Sequence, residues 1–137
     1  MLVKIFTDGG SRGNPGEAAA AAIIYNGDNN LLEQQACYLG QATNNIAEYQ
    51  GMILGLTRAQ ALGATQVELH ADSELIVKQM QGKYKVKHEG LIPLFGQAQK
   101  LAQKFERIVF KHIPREENKA ADRLVNQTLD KAKKPKI

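Results

Sequence analysis

Hydrophobic positions along this chain follow two rhythms. At the start, the compact run Leu2 to Phe6 is rich in β-branched and aromatic residues and predicts a buried strand over Leu2–Thr7. Ala18 to Tyr25 is ambiguous by composition, because its five consecutive alanines favour a helix. However, Ile23, Ile24 and Tyr25 lead into Asn26-Gly27, a strong hairpin signal, so the segment reads as a strand whose small side chains allow close packing. Leu31 to Leu39 is the returning strand. From Thr43 the rhythm becomes helical: Ile46, Tyr49, Ile53 and Leu56 form one stripe of a helix over Thr43–Leu62. Thr43, Asn44 and Asn45 are all good caps for it, and Gly63 is a natural stop. Val67–His70 then predicts a short strand, Glu74–Gln81 a short helix, Leu91–Phe105 a longer helix and Ile108–Phe110 the last strand. A loop from His112 to Asn118 enters a final helix that ends near Asp130, with Ala121, Leu124, Val125 and Thr128 facing inward. The segment Lys131–Ile137 carries four lysines and is expected to fray as a basic tail. An antiparallel meander followed by alternating helices and strands gives an α/β chain, a mixed sheet with helices packed on it.

The 137 residues suit one domain over 1–137, long enough to bury a core without covalent staples. A single cysteine, Cys37, excludes an internal disulfide and a cysteine-based zinc site, and fits a reducing compartment, so a cytoplasmic protein is expected. No apolar run approaches a membrane span. The N-terminus enters a strand directly, and no signal peptide is expected. The formal charge of +4 shifts the expected partner towards an anion, nucleic acid being the commonest.

The chemistry gathers around Phe6-Thr7-Asp8-Gly9-Gly10-Ser11-Arg12-Gly13-Asn14-Pro15-Gly16. A strand delivers the carboxylate of Asp8 to a glycine-rich loop whose bare backbone can approach a ligand. On its own this is also an ordinary Asp-Gly turn. Three other acids stand where elements begin: Glu48, Asp72 and Asp122. Each has a structural explanation as well, Glu48 in a capping box with Asn45, Asp72 as an N-cap, and Asp122 beside a helix macrodipole. If the strands bearing Asp8 and Asp72 are neighbours, the four carboxylates meet, and their repulsion calls for cations. Oxygen donors without thiolate or clustered imidazole favour Mg²⁺ or Mn²⁺. Two such ions about 4 Å apart would clamp the attacking and leaving oxygens of a phosphodiester.

The order of these pieces carries a resemblance. Thr7-Asp8-Gly9-Gly10-Ser11-Arg12-Gly13-Asn14-Pro15-Gly16, then Thr43-Asn44-Asn45-Ile46-Ala47-Glu48, then Ala71-Asp72-Ser73, then His112 with Asn118 and Asp122, resembles type 1 ribonuclease H over nearly the whole chain. The resemblance implies a five-stranded mixed sheet, its first three strands antiparallel, flanked by helices. It implies an endonuclease that hydrolyses the RNA strand of an RNA/DNA hybrid with two divalent cations, leaving 5′-phosphate and 3′-hydroxyl ends. Asp8, Glu48, Asp72 and Asp122 match the metal-binding acids, Asp8 bridging both ions and Glu48 also touching a ribose 2′-hydroxyl. His112 matches a histidine that helps move protons or release product. Asn14, Asn44 and Asn45 match substrate contacts, and Thr43 matches part of a phosphate pocket on the DNA strand. The backbone of Gly9, Gly10 and Ser11 is expected to approach the RNA strand, with Arg12, Arg115 and Asn118 placed beside it as substrate contacts.

The chain departs from that pattern in one region. Many members carry a long basic helix and loop rich in lysine and tryptophan; here only Gly82–Gly90 stands in that place and the chain has no tryptophan. Lys83, Lys85 and Lys87 with Tyr84 would make a smaller phosphate grip, or simply a solvated basic loop. Without a separate hybrid-binding module, weaker and more salt-sensitive binding by a monomer is expected. Two alternatives remain at this point: a non-catalytic nucleic-acid-binding module on the same fold, and a related nuclease acting on other duplexes.

Overall fold

The computed structural model describes residues 1–133. The elements run β1 (Leu2–Gly13), β2 (Gly16–Asn26), β3 (Leu31–Ala42), α1 (Asn44–Ala61), β4 (Gln66–Ala71), α2 (Glu74–Met80), α3 (Ile92–Ala102), β5 (Arg107–His112) and α4 (Lys119–Lys133), with one 3₁₀ turn at Arg115–Glu117 before α4. The five strands form one sheet in the order β3-β2-β1-β4-β5. β2 is antiparallel to both β1 and β3, whereas β4 runs parallel to β1 and β5 parallel to β4. The mixed sheet with an antiparallel first half is therefore as expected.

Three differences from the sequence reading have physical causes. β1 does not stop at Thr7: the glycine-rich stretch continues as strand to Gly13, paired with β2 from Asp8 opposite Ala21 to Gly13 opposite Gly16. Backbone pairing with an alanine strand overrides the turn tendency of glycine, so the expected loop is a hairpin arm. β3 likewise extends to Ala42. At the C-terminus, α4 extends to Lys133, three residues past its expected end near Asp130; the rest of the expected basic tail, 134–137, lies outside the described residues.

The five alanines of β2 are explained by what covers them. Ala18 to Ala22 are all 0–1% exposed. Ala22 belongs to the main core with Ile5, Ile24, Tyr49, Met52, Leu56, Leu69 and Ile76, on the face covered by α1. Ala19 and Ala21 belong to a second core with Val125 and Leu129 of α4 on the opposite face. A strand pressed by a helix on each face has room only for methyl groups.

The same close approach occurs at β1. A Cβ at Gly9 would overlap the backbone of Ala47 and Glu48, and a Cβ at Gly51 would meet the carbonyl oxygen of Asp8. These two glycines let the start of α1 lie directly against β1. Thr43 is the N-cap of α1, its hydroxyl accepting from the Ile46 amide at 3.2 Å. Among the described residues, no helix is long and apolar enough to cross a membrane.

Candidate active site

The parallel register sets Phe6 of β1 opposite His70 of β4. Two residues further along each strand stand Asp8 and Asp72, so neighbouring strands deliver two acids to the same end of the sheet. Glu48 joins them from the first turns of α1, across the contact that Gly9 permits. Ligating oxygens of Asp8, Glu48 and Asp72 all lie within 4.8 Å of one another. Asp122 is outside that tight group but lines the same cavity, which encloses about 510 Å³. The four acids expected from the sequence thus share one site as three plus one. Ser73, not Asp72, caps α2, its Oγ accepting from the Ile76 amide at 3.4 Å. The capping role that Asp72 also fitted is filled by its neighbour, so its carboxylate is not committed to the cap.

Burial and mutual repulsion change the acids. Burial, followed by the charge of Asp72 and then by those of Asp122 and Glu48, pushes the Asp8 carboxyl up to about 8, against a bond from the Gly9 amide. Burial pushes Glu48 up to about 7, with Asp72 adding to the shift and the Ser73 side chain opposing it. Groups held this way accept protons or cations near neutrality. Three close carboxylates, all oxygen donors with no thiolate among them, form a donor set that fits a hard divalent cation.

Around the acids the cavity is lined by Gly9, Gly10, Ser11, Arg12, Asn44, Arg115, Val125, Asn126 and Leu129. Asn44 is wired to the hairpin. Its Oδ1 accepts from the Ser11 amide at 2.8 Å and from Ser11 Oγ at 3.1 Å, and its own amide donates to Asn14 Oδ1 at 3.1 Å. Both side-chain oxygens are thereby used inside the protein, which leaves the two side-chain NH₂ groups for outside acceptors.

Arg12 lines the cavity but is held by α4: Nη2 meets Asp130 Oδ1 at 2.8 Å and donates to Asn126 Oδ1 at 3.3 Å. Arg115, 80% exposed, stands 3.7 Å from Asp122. Asn126 and Asp130 were not singled out from the sequence. Their spacing offered a signal, since Asp122, Asn126 and Asp130 fall four apart on one helix face.

Other expected residues lie away from the cavity lining. His112 ends β5 opposite Ala71 and is exposed. Asn45 sits in the first turn of α1, and Thr43 is occupied as its cap. Lys83 and Lys85 are exposed beyond α2. Nearby, Lys78 donates to Tyr84 Oη at 3.4 Å and lies 5.1 Å from that ring's centre.

Asn118, expected to contact substrate, is 1% exposed. Its Nδ2 donates to the Thr7 carbonyl at 2.9 Å and to Asp72 Oδ2 at 3.2 Å. Among the described residues, its Oδ1 is the only buried side-chain polar atom without a hydrogen-bond partner. Leaving such an acceptor unpaired costs about 1–3 kcal/mol.

Comparison with known proteins agrees with the fold. The family model described as reverse transcriptase-like matches residues 6–128. The N-terminal RNase H domain of Rv2228c from Mycobacterium tuberculosis is 48% identical with a TM-score of 0.93, covering 96% of this chain and 95% of that one. Against the whole bifunctional protein Rv2228c, the match covers 96% of this chain but only 36% of the relative's length. RNase H1 of the halophilic archaeon Halobacterium salinarum is 36% identical with a TM-score of 0.93, covering 96% of this chain and 99% of that one. LC11-RNase H1, solved in complex with an RNA/DNA hybrid, is 44% identical with a TM-score of 0.90, covering 95% of this chain and 98% of that one. With likeness in sequence and backbone over nearly all of these domains, the chain belongs to the type 1 ribonuclease H family.

Proposed function

We propose that this protein is an endoribonuclease that hydrolyses the RNA strand of RNA/DNA hybrids, with Asp8, Glu48, Asp72 and Asp122 holding two Mg²⁺ or Mn²⁺ ions. The observation that carries the reading is the meeting of Asp8, Glu48 and Asp72 oxygens within 4.8 Å at one end of the sheet. A purely structural trio of acids would be neutralised by arginine or lysine, and none of the three has such an ion pair among the described residues. When bound, a pair of such ions supplies activation of the attacking water and neutralisation of charge on the phosphodiester.

The chain's own groups supply the rest. Asp8 and Asp72 present their carboxylates from adjacent parallel strands, so the sheet fixes their separation. Glu48, on the neighbouring helix, stands where it can also accept from a ribose 2′-hydroxyl, the group that distinguishes RNA from DNA. The free NH₂ groups of Asn14 and Asn44 suit the acceptor-rich minor groove of a hybrid. Amides along Gly9–Ser11 and the cations Arg12 and Arg115 suit phosphates. His112, exposed at the end of β5, is the imidazole that would help move protons or release product. Lys83 and Lys85 extend the phosphate grip.

The LC11-RNase H1 complex supports this substrate over other duplexes, as does the pairing of amide donors with Glu48. The deciding experiment incubates purified protein with Mg²⁺ or Mn²⁺ and end-labelled RNA/DNA hybrid, RNA duplex or DNA duplex. The expected outcome is cleavage of the RNA strand of the hybrid alone, with 5′-phosphate and 3′-hydroxyl ends. An intact RNA strand under both metals sinks the reading, and hybrid binding indifferent to metal and to Asp72→Asn would favour a non-catalytic binder.

A further inference from the structure

Asn118 occupies an unusual place in this framework. It lies at the junction of the 3₁₀ turn and α4, behind the acids and out of solvent. Three hydrogen bonds lead from it towards three of the four acids. Nδ2 donates to Asp72 Oδ2 at 3.2 Å. Nδ2 also donates at 2.9 Å to the carbonyl of Thr7, whose peptide partner is the nitrogen of Asp8. The Asn118 carbonyl accepts from the amide of Asp122 at 3.1 Å. We propose that Asn118 is a positioning residue that sets Asp8, Asp72 and Asp122 in register for divalent-cation binding and makes no contact with nucleic acid. This rests on the reading of those acids as a cation site.

The side-chain chemistry leaves few other choices. Both partners of Nδ2 are oxygens, so the site calls for a neutral two-proton donor. Aspartate would place a second carboxylate against Asp72, and leucine of similar size would offer no proton at all. Engagement of Oδ2 leaves Asp72 Oδ1 for a cation. The unpartnered Oδ1 of Asn118 is informative, because among the described residues it makes no hydrogen bond that would account for the residue. What accounts for asparagine here is the donor half of its amide, which points at the acids. Partners that orient a metal ligand from behind are worth about 10- to 100-fold in metal affinity or activity.

The test compares the wild-type protein with Asn118→Ala. Calorimetric titration of the free protein with Mg²⁺ should show binding weakened about 10- to 100-fold in the variant. The Mg²⁺ midpoint for hybrid cleavage should rise in parallel. At saturating Mg²⁺ the KM for hybrid should change by no more than about twofold, since no nucleic-acid contact is lost. A raised KM with unchanged Mg²⁺ binding would return Asn118 to the substrate contacts and overturn the proposal, as would a variant indistinguishable from wild type. Nuclear magnetic resonance of the unaltered protein guards against a variant that fails to fold. The Asn118 side-chain NH₂ signals should shift on Mg²⁺ addition with the calorimetric midpoint, and signals that stay still would overturn the proposal. The two readings fail separately: Mg²⁺ binding that depends on Asn118 in a protein that cuts no hybrid removes the nuclease and keeps the positioning role.

Discussion

The carboxylate centre and the cationic rim of the same cavity are built by opposite means. Asp8, Glu48 and Asp72 stand on elements fixed by the main core, at a spacing set by strand register and by two glycines that bring α1 onto β1. Their charge is unfavourable where it stands, and the fold tolerates it. Arg12 and Arg115 on that rim, and Lys83 and Lys85 beyond it, are long, partly or wholly exposed side chains, and two of the four are held by acids of the protein itself. The difference teaches where precision is needed. Cation geometry tolerates little error and is assigned to the core, whereas phosphate attraction acts over a Debye length and is left to mobile, screened charges. Damage to the centre should therefore act on the chemical step, and damage at the rim on affinity and its salt dependence.

The largest effect is expected from Asp8→Asn. Losing the central ligand forfeits several kcal/mol of charge stabilisation, so cleavage should fall by about 10³-fold or more at equal folding. The same substitution should raise the metal-free melting temperature at pH 8, because it removes a charge held against burial and repulsion. A melting temperature that falls instead would make Asp8 a structural residue and erase the contrast between centre and rim.

Proton linkage sharpens the point. The folded-state carboxyls of Asp8 and Glu48 lie at about 8 and about 7, above their ordinary values of 3.8 and 4.5. The folded protein therefore binds more protons than the unfolded chain across that window. Stability without metal is highest below about pH 4 as far as these two groups are concerned, and declines as pH rises towards 8. Thermal melts in chelator should show this decline, and Mg²⁺ should reverse most of it at pH 8. A flat profile in chelator would mean that the acids are not strained together.

Next in size is Gly9→Ala. The added methyl would overlap α1 backbone at Ala47 and Glu48, so urea melts should show about 1–3 kcal/mol of destabilisation with reduced cleavage. At the rim, Lys83→Ala with Lys85→Ala should raise KM a few-fold, leave kcat near wild type and lower the salt slope of binding by roughly 1 to 2. An unchanged slope would make Gly82–Gly90 a plain solvated loop. Smallest is Asp130→Asn, which frees Arg12 from its 2.8 Å partner. An exposed pair is worth about 0–1 kcal/mol, so hybrid affinity at low salt should tighten no more than about fivefold. No gain should appear in an Arg12→Ala background.

Sequence patterning read best where period and chemistry agreed. The stripe Ile46, Tyr49, Ile53, Leu56 gave α1, and Asn26-Gly27 gave the β2–β3 hairpin against the helical propensity of Ala18–Ala22. Glycine was misread in Gly9–Gly16, because local turn tendency carries no information about a neighbouring strand able to pair with it. Asn118 carries a related ambiguity: an asparagine in a polar loop has the same sequence signature whether its amide faces solvent or the back of a carboxylate. Asn126 and Asp130 carried no local signal of their bonds to Arg12, a hydrogen bond and an ion pair that join positions 114 and 118 residues apart.

By itself, the order of residues determined the kinds of element, the identities of the acids and their family, since these depend on local periodicity and on motifs a few residues long. Tertiary structure decided which acids meet closely, which one stands apart, and which polar side chains look inward. Those outcomes depend on strand register and on helix-to-sheet distance, which distant parts of the chain set jointly through packing.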